Sequence, residues 1–513
     1  MRINNSVNNI FIGVLSQLII AILGFISRKV FLDSLGVEYL GVNALLTNVL
    51  SMLALVEGGI GASIVYSLYK PLAENDKPKI IALIQIYKKA YAVFALIVFV
   101  LSVLLYPFLG SLMKGSQPIP YIAIIYFIFV AKNIITFLNA HKVSLINADQ
   151  KGYVLTRINF LFQVLTTFAK IIVLIKTENY VYFLLIELGI FVVQTIINGQ
   201  IVNKRYSYIK TKDKYYINEK EKVTLISNIK ALFLHNIGTF CVFGTDNILI
   251  STFVSVAVVG LYSNYTMIIG QLASLITPVL SGIGASVGNL IATENKNKSY
   301  SVFQVIYLLN FWLYSVGVIF LYNLLEPFIN WWLGKGFLLD SSTFIIILIN
   351  FYLTGLRSSI LTFKSKAGIF VQDKYMPLIE AFINLGVSLI LVQYLGLYGI
   401  FIGTTISTLS TIFWNVPRLV YKHIFNIPVW LYFKQYIFYA FLTVVSGIIT
   451  TNLCNVFVVG SGFSSLVIKG MICLVVPNML YITIFYNKNE FQYIKNVLNI
   501  VLKGIKVKLI SSS

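Results

Sequence analysis

Eight charged side chains inside stretches otherwise apolar enough to cross a lipid bilayer are the candidates for chemistry: Glu57, Lys132, Arg157, Lys170, Glu187, Asp246, Glu380 and Lys469. Arg28 and Lys29 close the first such stretch, and His235 lies in the seventh. A charge in hydrocarbon is costly, so each is a candidate for binding a ligand or moving an ion. Arg157, Lys170, Glu380 and Lys469 fall near the predicted ends of their stretches. Long side chains there reach the interface and short ones cap helices, so a structural role is expected for these four.

Arg28, Asp246 and Glu57 offer more chemistry. A guanidinium binds phosphate oxygens through two parallel hydrogen bonds, which suits Arg28 to an anionic substrate. If Asp246 faces it, the two either hold one another permanently or separate when substrate takes the guanidinium. Glu57 is open to two readings, a carboxyl that carries a coupling proton and a neutral hydrogen-bonding group between packed helices. Lys132, with Asn133, Asn139 and His141, makes the fourth stretch polar on one side, as a cavity wall or an interhelical contact would. Further polar wall candidates are Gln17, Asn43, Asn48, Tyr262, Asn264, Tyr265 and Gln271.

No metal or cofactor is expected. His141, His235 and His423 are too scattered for a metal site, and Cys241, Cys454 and Cys473 read as small core residues. The chain contains no G-x-S-x-G, P-loop, dinucleotide fingerprint or H-E-x-x-H. Asp33 and Glu38 occupy the first outer loop, where a membrane glycosyltransferase could keep catalytic acids. Such an enzyme would need an outer domain for its acceptor, and no loop here is long enough, so a corner or capping role is expected.

These residues must be positioned by helices. Apolar residues make up 58% of the 513, charged ones 11%, and the mean hydropathy is +0.85. That excludes a soluble fold. Fourteen spans are predicted, at roughly 9–27, 41–67, 91–112, 119–140, 155–175, 180–202, 232–253, 260–290, 303–325, 342–362, 376–394, 397–417, 436–459 and 464–486. Isolated spans in lipid must be helical, because each backbone amide needs an internal partner. The net charge of +21 does not call for nucleic acid. With the amino terminus inside, 31 of the 39 Lys and Arg lie in cytoplasmic segments and six in outer loops, which places both termini in the cytoplasm. Anionic membrane lipid is the expected partner of that charge.

The chain also repeats itself. Gly59-Ile60-Gly61-Ala62-Ser63 returns as Gly282-Ile283-Gly284-Ala285-Ser286, a shift of 223. Leu40-Gly41-Val42-Asn43 is answered by Val259-Gly260-Leu261-Tyr262, a shift of 219, and the Asp149–Tyr153 stretch is echoed near Gln372–Tyr375. Three echoes in order imply a duplicated unit. Six spans per unit give both copies the same orientation, with an axis along the membrane normal. The resulting division is 1–215 for the first lobe, 216–428 for the second, and 429–513 for two added spans and a basic tail. Under the 219 shift Arg28 corresponds to Asn247 and Ser27 to Asp246. The small-residue strings around Gly59, Gly61, Pro278, Gly282 and Gly284 suit close helix packing and, at Pro278, bending.

Ser27-Arg28, Leu35–Gly41, Glu57–Ala62 and Leu68–Glu74 resemble the amino-terminal signature of bacterial polysaccharide repeat-unit flippases. Asp246–Ser251, Val259–Tyr265, Asp373–Ala381 and Gly399–Thr404 are similar to the family's later blocks, so the resemblance covers about residues 1–425. It implies membership of the multidrug/oligosaccharidyl-lipid/polysaccharide exporter superfamily, an all-α polytopic fold of two six-helix lobes around a central cavity. The implied activity is passage of a polyprenyl-diphosphate-linked oligosaccharide to the outer leaflet of the bacterial plasma membrane, for capsule, O-antigen or a related polymer. The implied partners are that lipid-linked substrate, membrane lipids, and polysaccharide polymerase and chain-length proteins. The implied substrate residues are Arg28 and Lys132, with Tyr262 and Asn264, while Glu57 and Asp246 would couple or gate. The chain departs from the lipid II flippases in lacking their cavity arginine cluster. A drug or metabolite exporter of the same superfamily is the second expectation; a membrane polymerase or a transport-inactive assembly scaffold ranks below it.

Overall fold

The computed structural model describes residues 2–57, 60–114, 119–149, 151–219, 221–223, 225–226, 229, 240, 242, 244–369, 372–458, 460, 462–496 and 499. Among them the chain is helical throughout, without strands. The helices are α1 Arg2–Leu53, α2 Ile60–Glu74, α3 Lys77–Leu105, α4 Ile122–Ala148, α5 Tyr153–Thr177 and α6 Tyr180–Arg205. They continue as α7 Asp246–Leu249, α8 Val256–Thr293, α9 Lys296–Trp332, α10 Ser341–Leu356, α11 Ser358–Lys366, α12 Met376–Leu395, α13 Leu397–Ser410, α14 Ile412–Val420, α15 Trp430–Phe457 and α16 Phe463–Phe485. Eleven segments among the described residues are long and apolar enough to cross a membrane, and all eleven coincide with predicted spans. The protein is a multi-pass membrane protein. The predicted spans 9–27 and 41–67 lie on α1 and α2, while most of 232–253 is outside the described residues.

Local chemistry sets the helix ends. Asp76, Asn179, Asn295 and Asp340 each precede a helix and accept hydrogen bonds from its first free amides. Gly36 turns the chain inside α1 with φ 83° and ψ 177°, a conformation open to glycine and strained for other residues.

The chain divides into two compact units, Met1–Ser263 and Asn264–Ser513, with the boundary inside α8. In the first unit, α1 and the start of α8 touch backbone to backbone. A Cβ on Gly41 would overlap the Val256 carbonyl, and one on Gly260 would overlap the Val37 carbonyl and lie 3.1 Å from the Gly41 nitrogen. Val37 and Val256, like Gly41 and Gly260, are related by the 219 shift. Equivalent positions therefore contact one another reciprocally, as two copies around a two-fold axis do. Gly41→Ala is expected to destabilise this seam by about 1–3 kcal/mol through overpacking, read as a lowered melting temperature in detergent. Gly270, where an added Cβ meets nothing within 4 Å, supplies the control. Lys114 pins the turn after α7: its amide donates to the Ser251 carbonyl (3.1 Å), its Nζ to the Phe253 carbonyl (2.8 Å).

The second unit is built on rings. Phe303, Tyr307 and Phe311 of α9 are buried against Tyr432 and Tyr439 of α15 and Tyr481 of α16, with Phe311 stacked on Tyr439 at 4.1 Å. Asn310 Nδ2 donates to the carbonyls of Gly355 and Leu356, capping α10 where the chain breaks at Arg357. Cys454 and Cys473 are free thiols with sulfurs 4.0 Å apart.

Candidate functional site

Six of the candidate charges of the first unit, Arg28, Asp246, Lys132, Lys170, Glu187 and Glu57, occupy three places. Arg28, on the first half of α1, donates from Nη1 to Ser263 Oγ at 2.8 Å. Among the described residues no acid pairs with it. Asp246, at the start of α7, has an Oδ1 that is buried and without a hydrogen-bond partner. Arg28 and Asp246 are thus not joined in this conformation, and the arginine rests on a hydroxyl instead. Tyr262 lies close enough to Asp246 to feel its charge. Asn264 is fully buried at the start of the second unit, and neither atom of its amide has a hydrogen-bond partner.

The second place is a three-charge cluster on α4, α5 and α6. Glu187 of α6 takes the Lys132 ammonium on one carboxylate oxygen and the Lys170 ammonium on the other, the latter at 2.6 Å. Phe183 and Phe191 lie one turn to either side on the same face of α6. Lys170 stands 4.2 Å from the Phe183 ring centre and Lys132 5.8 Å from that of Phe191, so each ammonium has a carboxylate oxygen and a ring face. Two cations on one anion leave a net positive charge. The cluster faces a cavity of about 160 Å³ that α1 completes with Asn43 and Thr47, and the Tyr180 hydroxyl donates to Asn43 Oδ1 at 3.1 Å. Lys132 lines this cavity and at the same time joins α4 to α6 through Glu187. Lys170, placed near a span end by the sequence, turns inward to it. The signal for this was the Phe-x₃-Glu-x₃-Phe spacing on α6 opposite two lysines.

Glu57 makes the third. It ends a short 3-10 turn, Ala54–Glu57, that interrupts the second predicted span. Its Oε1 accepts from the Tyr91 hydroxyl, which also accepts from Tyr87 (3.1 Å), and Tyr87 meets Ser144 Oγ at 3.0 Å. The network runs from the Glu57 carboxyl on the turn after α1 through the tyrosine hydroxyls of α3 to Ser144 of α4. A Cβ at Gly61 would stand 2.7 Å from Glu57 Oε1 and from both tyrosine hydroxyls, so that glycine leaves the room the network fills. Gly59, His235 and Cys241 lie outside the described residues, as do the side-chain environments of Pro278, Gly282 and Gly284 on α8.

Among the described residues the second unit holds two buried ion pairs. Arg357, at the α10–α11 break, lies 3.8 Å from Glu380 of α12, and Glu380 also accepts from Thr408 at 3.3 Å. Lys364 of α11 pairs with Asp373. Arg357 lies inside the predicted span 342–362, as far from its end as Lys170 is from the end of 155–175, yet it was not among the candidate charges. Among the described residues no group of three His, Cys, Asp or Glu could hold a metal.

No protein-family model matches the chain, and no curated protein matches it in sequence. Solved structures share its fold. One, titled lipid II flippase MurJ in an inward closed conformation, aligns with TM-score 0.67 at 14% identity over 93% of this chain and 99% of its own. A MATE transporter of Vibrio cholerae, VcmN, aligns with TM-score 0.56 at 14% identity, covering 81% and 95%. An inward-facing multidrug resistance MATE family transporter of the MOP superfamily gives 0.56 at 15%, covering 77% and 94%. The fold is the one these transporters share.

Proposed function

We propose that the chain is a flippase carrying polyprenyl-diphosphate-linked oligosaccharide repeat units from the inner to the outer leaflet of a bacterial plasma membrane, for capsule, O-antigen or a related polymer, by alternating access. The observation that carries this reading is Arg28: a guanidinium at the end of the first predicted span, held by the Ser263 hydroxyl and paired with no acid among the described residues. A hydroxyl gives way to a phosphate oxygen, since a charge-assisted bidentate pair is about twice as strong as a neutral hydrogen bond. The Lys132–Glu187–Lys170 cluster adds a second net positive place in the same unit. A diphosphate head cannot cross hydrocarbon unaided, and fixed cations with polar walls lower that barrier without breaking any bond. The solved structure with TM-score 0.67 is titled a flippase, which supports the reading at the level of fold.

In this reading Tyr262 and Asn264 contact the sugar, and the strings at Gly59, Gly61, Pro278, Gly282 and Gly284 let the helices pack and bend. Glu57 carries the coupling proton along its tyrosine chain, and Asp246 gates. Both termini are cytoplasmic, and polymerase and chain-length proteins receive the product. A drug or metabolite exporter is the second reading, favoured by the shared MATE fold and by the unpartnered Asp246 Oδ1, a carboxylate suited to cationic cargo.

The purified chain in vesicles tests both. Flipping of a polyprenyl-diphosphate oligosaccharide, with no transport of amphiphilic cations, is expected; the reverse selectivity makes the chain an exporter. In the same vesicles Glu57→Gln is expected to remove the response to an imposed pH gradient. Wild-type gradient dependence in that variant takes the coupling role from Glu57.

A further inference from the structure

The first unit has a second cavity, of about 360 Å³, between α4 and α6 at the end of both helices where the basic connecting segments begin. Its walls change character along its length. Leu138, Val192 and Ile196 line one part, and Leu138 and Ile196 are 55% and 53% exposed, so this part opens sideways toward the bilayer. Asn139, Lys142 and Asn203 line the other. Gly199 makes that polar end possible. A Cβ there would lie 2.8 Å from Asn139 Nδ2 and 3.3 Å from Lys142 Nζ, so the bare backbone lets the ammonium lean across to α6.

The charge around Lys142 is one-sided. Lys88 and Lys210 are its electrostatic neighbours, and all three lack an acidic partner among the described residues. The acids at this end are engaged elsewhere: Asp149 with Lys151 and Tyr206, Glu221 with Lys79, Glu219 with Lys222, and Asp213 with the Thr211 hydroxyl. Asn139 is spent on the Thr195 carbonyl at 2.6 Å. What is missing is an anion with an apolar body.

We propose that this groove binds one anionic phospholipid of the surrounding bilayer, its phosphate on Lys142 and an acyl chain along Leu138, Val192 and Ile196. Basic pockets between spans on the cytoplasmic side have the composition that holds such headgroups. A free phosphate would satisfy the ammonium and leave the apolar wall uncovered; a zwitterionic lipid would cover the wall and bring its own cation to three lysines. The lipid then fills the seam between α4 and α6 and offsets the repulsion among Lys88, Lys142 and Lys210. The inference stands apart from the substrate reading, because it uses neither Arg28 nor the Glu187 cluster.

Native mass spectrometry of the full chain, purified in detergent, stripped of lipid and titrated with cardiolipin or phosphatidylcholine, tests it. Wild type is expected to retain one cardiolipin in preference to phosphatidylcholine, and Lys142→Gln to weaken that binding about fivefold, the loss of one lysine–headgroup attraction. Lys142→Arg should keep it. Ile196→Trp, which fills the apolar part and leaves the charge, should weaken it to a similar degree. Lys70→Gln, at a lysine that does not line the groove, should change nothing. Equal cardiolipin affinity in wild type and Lys142→Gln overturns the proposal. So does a loss in Lys70→Gln as large as that in Lys142→Gln, which would make the binding a general effect of basic charge. Displacement of the lipid by millimolar inorganic phosphate would reassign the site to a soluble anion and overturn it as well.

Discussion

Arg28→Ala is expected to cut flipping of a diphosphate-linked oligosaccharide by at least about thirtyfold, the low end of what truncating one side of a buried, hydrogen-bonded charge contact costs. In cells the corresponding result is accumulation of lipid-linked repeat units on the inner leaflet and loss of surface polymer. The fold should survive the change. Arg28 donates to a serine and, among the described residues, to no acid, so its removal orphans no carboxylate there, and Ser263 keeps its own means of hydrogen bonding. A melting temperature close to wild type together with lost transport would separate recognition from folding. Arg28→Lys should fall between, about tenfold below wild type, because a point charge replaces a two-pronged fork. Wild-type flipping by the alanine variant would remove Arg28 from the mechanism and leave the diphosphate reading without its main support.

The parts of this molecule that follow from local rules were legible in the sequence. Span length and hydropathy identified every one of the eleven membrane-length segments among the described residues. The turn in α1 falls on Gly36, a residue type that takes that positive φ without strain. The repeat shift of 219 predicted that Gly41 and Gly260 are equivalent, and their mutual contact is what such equivalence looks like in space. Partnerships between side chains were less accessible. Whether Arg28 meets Asp246 depends on helix rotation, which one sequence does not specify, and the guanidinium turned to Ser263. Lys170 was read as an interfacial lysine because a span boundary off by one turn moves a residue between headgroup and hydrocarbon. Arg357 was legible by position, inside the predicted span 342–362, but its role shows only in space, where α10 stops and Asn310 caps the break. Intramembrane charges are easy to list and hard to pair.

The Glu187 cluster separates structure from function more sharply than any other site, because its two lysines should respond differently from its acid. Glu187→Gln leaves two ammoniums facing each other across a small cavity. With Glu187 and Lys170 each about a fifth exposed, the loss should be about 2–3 kcal/mol, below the range for a fully dry pair, and visible as a lowered melting temperature. Lys132→Gln does the opposite. It leaves a neutral Lys170–Glu187 pair, and Lys132 is 41% exposed, so stability should change by less than about 1 kcal/mol. If the surplus positive charge serves an anionic substrate, transport should still fall, by about tenfold, as one charge-assisted contact is lost. If the cluster only ties α4, α5 and α6 together, Lys132→Gln should transport in proportion to the folded protein present. Measured side by side, melting temperature and flipping rate should move in opposite order in these two variants. A rate that tracks stability in both would reduce the cluster to glue and leave the anion to Arg28 alone.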